Sequence, residues 1–96
     1  MRNRTDYETE RLINKWEEAS DILYLQLMKK LKTNGITING IHAKDYPFIT
    51  VIVDSECSDI DEIINLIMEL SYEPKIIAEY RIRDYYYVNV CFNIES

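Results

Sequence analysis

The densest run of chemically capable side chains is Asp54, Glu56, Cys57, Asp59, Asp61 and Glu62, with one histidine, His42, elsewhere in the chain. Carboxylates this close together suit a hard cation, and the calcium loop is the most demanding form to test. Counted from Asp54, the sixth position is Asp59, where glycine makes the turn, and the twelfth is Asn65, where a bidentate glutamate is needed. As a phosphoryl-transfer site the run reads Asp-x-Glu with no accompanying lysine or serine motif. Helix capping plus a solvated acidic turn accounts for it. Cys57 sits near a helix start, which favours thiolate, but Glu56 and Asp59 oppose that, and any Cys–His pair would have to use His42. No nucleotide loop, metal cluster or nucleophile-and-base pair stands out. The expectation is a protein that is not an enzyme and takes no cofactor or metal.

A stronger signal is Tyr85-Tyr86-Tyr87 with Arg81, Arg83 and Asn89. Tyrosine and arginine with few lysines is the composition of a protein interface core, because each side chain offers a large contact area with a polar tip. Tyrosines also tolerate half-exposed strands with no partner at all. The run Phe48-Ile49-Thr50-Val51-Ile52-Val53 is apolar on both faces except at Thr50, so Phe48 and Thr50 join Arg81, Arg83, Tyr85, Tyr87 and Asn89 as the expected interface. The expected function is a protein-interaction module, and the expected partner is a second copy of the chain. Two alternatives follow from other chemistry. An acidic surface can imitate nucleic-acid phosphates and inhibit a nucleic-acid-binding enzyme, and an aromatic sheet face can stack unpaired bases.

Composition constrains these readings. The net charge is -6, but residues 1–34 carry seven Lys/Arg against six Asp/Glu, whereas residues 35–96 carry four against eleven. An acidic body repels a phosphate backbone and an anionic membrane alike, so neither nucleic acid nor membrane is an expected partner. Two glycines, two prolines, fifteen isoleucines and eleven aromatics describe a folded chain with apolar surface to bury. Ninety-six residues predict one domain, residues 1–96. The first residues are charged and contain no apolar leader, so a cytoplasmic location is expected, with Cys57 and Cys91 as reduced thiols.

The elements that must position these residues are legible from period and punctuation. Thr5-Asp6-Tyr7-Glu8 fits a capping box, and Leu12, Trp16, Ala19, Leu23, Leu27 and Leu31 follow at helical spacing. Asn34-Gly35 supplies a left-handed stop, so a first helix is predicted over residues 6–33, with a body over 36–96. At ~1.5 Å per residue that helix is ~40 Å long, and its first turns should overhang the body. Ile36 to His42 alternates and stumbles at Asn39-Gly40, where a bulge is predicted because a hairpin turn would leave very short arms. Phe48–Val53 is a second strand. A second helix is expected from Ser58-Asp59 to about Ser71, burying Ile60, Ile63, Ile64, Ile67 and Leu70.

Two further alternations, Lys75 to Arg83 and Tyr85 to Ile94, complete the chain. Matching their apolar faces places Ile82 opposite Tyr86, Tyr80 opposite Val88 and Ala78 opposite Val90, with Arg81 and Tyr87 outward. That register demands a three-residue loop, Arg83-Asp84-Tyr85, with Asp84 at positive φ. The predicted fold is α+β, a two-layer sandwich in the order α-β-β-α-β-β. Its four-stranded, mainly antiparallel sheet has the order 1-2-4-3, with both helices on one face. The β-α-β-β layout from Phe48 to Phe92 resembles small regulatory α+β domains, the ACT type among them. The glycine such domains carry after the first strand is absent at Asp54–Ser58, and the resemblance implies architecture without a ligand.

Overall fold

The computed structural model describes residues 4–43, 46–56 and 58–94, with side chains in the first helix from Glu10 onward. Its elements are α1 (Arg4–Thr33), β1 (Ile38–Ala43), β2 (Phe48–Asp54), α2 (Ile60–Met68), β3 (Lys75–Ile82) and β4 (Tyr85–Cys91). The sheet order is β1-β2-β4-β3 and every neighbouring pair is antiparallel. β2 and β3 therefore run the same way, joined through α2, with β4 between them. The element order, sheet order and α+β class agree with the sequence reading.

α1 begins at Arg4, two residues before the expected start, which places Thr5 inside the helix and not at its cap. The helix holds to Thr33 because its apolar stripe is continuous, with Trp16, Ala19, Leu23, Leu27 and Leu31 all buried. Its end is a Schellman motif: Ile36 N–H donates to the Leu31 carbonyl at 3.0 Å, and Gly35 N–H donates to Lys32 at 3.0 Å. Gly35 takes φ 75°, a conformation glycine adopts without steric cost. Ile36 and Leu31, the hydrophobic pair that accompanies such a motif, are both in the core. Trp16 is the first fully buried side chain of α1 among the described residues, so the preceding turns extend past the sheet, in a molecule 54 Å long and 24 Å wide.

α2 ends at Met68, with Glu69 as its C-cap, about three residues sooner than expected. Tyr72 and Glu73 then take φ 65° and 49°, turning the chain into Pro74 and β3. At the other end Asp59 is the N-cap, its carboxylate accepting from Asp61 N–H at 2.9 Å. Ile63 and Ile67 are fully buried against α1 and the sheet, while Ile60 and Leu70 pack beside them. Lys30 on α1 pairs with Glu69 at 2.6 Å and ties the helix ends together. The pair is partly solvated, so its contribution is at most ~1 kcal/mol. Trp16 meets Tyr46 edge-to-face, ring centres 5.9 Å apart, and closes the core near the start of β2.

The bulge in β1 lies where expected. Ile38 pairs with Val53 and Gly40 with Ile52, leaving Asn39 as the extra residue. Ile38 and Ile41 consequently both reach the core.

The β3–β4 register differs from expectation. Ile82 pairs with Tyr85, Arg81 with Tyr86 and Tyr80 with Tyr87, so the turn has two residues, Arg83 and Asp84, not three. The residue at positive φ is Arg83 (55°), not Asp84. A second bulge absorbs the slip: Ile76 pairs with Val90 and Ala78 with Asn89, with Ile77 as the extra residue. β4 keeps its expected orientation, with Val88, Val90 and Phe92 fully buried. β3 changes sides at Ile77. Beyond it, Glu79 and Arg81 share the helix side with Val88 and Tyr86, yet both remain exposed on this edge strand.

Candidate functional site

The sheet face away from the helices is covered by no part of the chain among the described residues, and its side chains fall into rows set by the pairing. The first row is Ile82, Tyr85 and Asp54. The second is Tyr80, Tyr87, Ile52 and Gly40, and the third is Ala78, Asn89, Thr50 and His42. The last is Lys75, Cys91 and Phe48. Charge is confined to two margins, Asp54 at one end and Lys75 at the other.

Each row has its own relief. In the second, the Tyr80 and Tyr87 rings stack with centres 5.2 Å apart and planes within 2°. That stack is a consequence of the two-residue turn, since the three-residue register would put Tyr80 on the opposite side. The third row is composed of shorter side chains and sinks between taller neighbours. His42, Thr50 and Asn89 of that row line a hollow of about 570 Å³ whose other walls are Phe48, Ile52, Ile77, Tyr80 and Tyr87. Thr50 is 9% exposed at its floor and donates its hydroxyl to Asn89 Oδ1 at 2.8 Å. That bond satisfies a polar pair in an otherwise apolar surface. The His42 ring folds back over Gly40, with Nε2 only 2.8 Å from where a Cβ would stand, so glycine leaves the room the ring occupies.

Beyond the stack, the first row rises as a ridge. Ile82 is 50% exposed and Tyr85 37% exposed, side by side at the end of the hairpin. Ile77, displaced by the bulge, is 52% exposed at the margin of the hollow. The turn itself is held from two sides. Arg81 Nε donates to the Arg83 carbonyl at 2.9 Å, and Ser55 N–H donates to the Asp84 carbonyl at 2.9 Å.

Of the expected interface residues, Phe48, Thr50, Tyr85, Tyr87 and Asn89 share the open face. Arg81 does not. It pairs with Tyr86 and points to the helix side, and Arg83 lies in the turn. The face therefore lacks the arginines read from the sequence and gains Tyr80 and Ile82, which that reading placed inward. The signal that finds them is the preference for two-residue hairpin loops, weighed against apolar matching on a strand whose apolar face need not be buried.

The acidic run resolves into local capping. Asp54 Oδ1 accepts from Glu56 N–H at 2.9 Å, and Asp59 caps α2. No group of three His, Cys, Asp or Glu side chains among the described residues is placed to hold a metal ion. Cys91 is a free, partly exposed thiol in the last row; Cys57 lies outside the described residues. No helix among the described residues is long and apolar enough to cross a membrane. Comparison of the chain with protein-family models, with curated proteins and with solved structures finds no match.

Proposed function

We propose that this chain is a non-enzymatic, cytoplasmic protein-interaction module whose open sheet face joins a second copy of itself. The observation that carries the reading is a contrast of charge. A body with four Lys/Arg against eleven Asp/Glu over residues 35–96 sets aside one nearly uncharged, aromatic face, with one acid and one base on its margins. A partner that approaches an acidic molecule through that face need not be basic. A second copy meets it without opposed charges at the centre, and it buries Tyr80, Ile82, Tyr85 and Ile77, which otherwise stand in water.

Size sets the class of interface. Four strands spaced ~4.8 Å apart and about seven residues long make a face ~19 Å by ~23 Å, so two copies remove roughly 900 Å² in flat projection. Side-chain relief raises that to about the ~1,000 Å² at which specific interfaces begin. Interfaces near that bound are the transient ones, and the proposed dimer is of that kind, with a Kd taken as micromolar. Base stacking by a nucleic-acid strand is the weaker reading. Arg81 is on the far side of β3, and Tyr80 and Tyr87 already cover one face of each other's ring.

Light scattering at ~100 μM should give twice the 11.5 kDa chain mass, and the value should hold in ~1 M salt, where the Debye length is only ~3 Å. A mass of 11.5 kDa at that concentration contradicts self-pairing. A mobility shift of a single-stranded oligonucleotide contradicts the choice of partner.

A further inference from the structure

We infer that the outer edge of β3 is a second contact between copies of this chain: residues 78–82 of two molecules pair antiparallel about a twofold axis at Tyr80, setting Glu79 of each against Arg81 of the other. The inference goes beyond the open face, uses a different surface and does not depend on it.

The turn fixes which backbone groups point outward. In a two-residue hairpin the closing pair, here Ile82–Tyr85, exchanges its own hydrogen bonds, and bonded and non-bonded pairs alternate from there. Ile82 and Tyr80 therefore direct their N–H and C=O groups at β4, whereas Arg81 and Glu79 direct theirs away from the sheet. β3 is the last strand on that side, and every residue from Glu79 to Ile82 is exposed. Edges are commonly guarded by proline, by a bulge or by lysines. This stretch has no proline or lysine, its bulge lies behind it at Ile77, and its two charges are opposite in sign.

Charge chooses the register. Two antiparallel copies of one strand pair about a central residue that meets itself. A centre at Glu79 sets carboxylate on carboxylate, and a centre at Arg81 sets guanidinium on guanidinium. A centre at Ile82 sets Arg81 on Arg83 of the turn, and a centre at Ala78 draws the Ile77 bulge into the pairing. Like charges directly opposite are destabilising and unlike charges stabilising. Among these centres Tyr80 alone matches charge, and it does so twice.

The rest of the stretch suits that centre. Glu79 and Arg81 of opposite copies form the hydrogen-bonded pairs, with their side chains on the helix side of the sheet. Arg81 is already held beside the edge by its Nε bond to the Arg83 carbonyl. On the other side Tyr80 meets Tyr80 and the large Ile82 meets the small Ala78. Tyr80 and Ile82, 42% and 50% exposed, thereby lose water, and the two Tyr80–Tyr87 stacks come side by side.

Charge reversal tests the register. Five residues from each copy bury less than a standard interface, so the contact is weak and is followed by sedimentation equilibrium from ~10 μM to ~1 mM. Glu79→Arg and Arg81→Glu proteins, each checked for folding by circular dichroism, should each pair through the edge roughly tenfold more weakly than the unaltered protein. An equimolar mixture of the two, and the double variant carrying both changes, restore two unlike pairs and should recover the association. Both side chains lie on the helix side, so pairing through the open face is unchanged by either reversal. Single variants that associate as the unaltered protein does at every concentration overturn the edge contact and leave the open face in place. Weakened single variants with no recovery in the mixture overturn the register and the proposal with it. An unaltered protein that dimerises and falls to the 11.5 kDa chain on either reversal supports the edge and contradicts the open face. One that stays at 11.5 kDa throughout overturns both.

Discussion

On the helix side of the sheet, β2 and β4 present Ile49, Val51, Val53, Val88 and Val90, all fully buried. On the open side the same strands present Phe48, Thr50, Ile52, Tyr85, Tyr87 and Asn89, most of them half-exposed. Branched aliphatics have no polar atom and few rotamers, which suits a surface sealed permanently by the chain's own helices. Tyrosines keep a polar tip for water and an apolar ring for a partner, which suits a surface that alternates between the two. One pair of strands thus carries a closed face that specifies the fold and an open face available for contact.

The largest expected effect breaks the closed face. Phe92 is 1% exposed at the centre of the core, and Phe92→Ala should cost about 3–5 kcal/mol of folding stability in a urea melt. An intermediate effect comes from the open face. Tyr87→Ala removes the stack on Tyr80 and should cost about 0.5–1.5 kcal/mol of monomer stability. The same variant should weaken self-association by roughly tenfold, read as a dissociation constant by sedimentation equilibrium. A Tyr87→Ala loss as large as that of Phe92→Ala, with association unchanged, would mean that the two faces do the same work. The smallest effect belongs to the turn between them. Arg83 holds φ 55° where glycine carries no strain, so Arg83→Gly should raise the melting midpoint, by about 0.5–1 kcal/mol in free energy.

The closed face was legible in the sequence because its signals agree with one another. The α1 stripe, the Asn34-Gly35 stop, the Asn39-Gly40 irregularity and the inward residues of β4 all appear where period and punctuation place them. The open face was legible only in part. Phe48, Thr50, Tyr85, Tyr87 and Asn89 are on it, but Tyr80 and Ile82 were read as inward and Arg81 as outward. The cause is physical. Ile76, Ala78, Tyr80 and Ile82 form an unbroken alternation, and nothing in the residue types of Ile76-Ile77-Ala78 announces a bulge; no glycine marks it. Apolar matching then favoured the wrong register, because it assumes that an edge strand's apolar side is the buried one. Here the far half of the edge strand, Glu79 to Ile82, is exposed on both sides, and its charged side remains solvated.

The central claim is that the open face is the surface of self-association, and backbone amide shifts followed through dilution test it most directly. From ~1 mM to ~10 μM, a span that brackets a micromolar dimer, the amides of Thr50, Tyr85, Tyr87 and Asn89 should move together along a single binding curve, while those of Leu23, Ile63 and Ile67 stay fixed. Shifts confined to α1 and α2, or none at any concentration, would contradict the account.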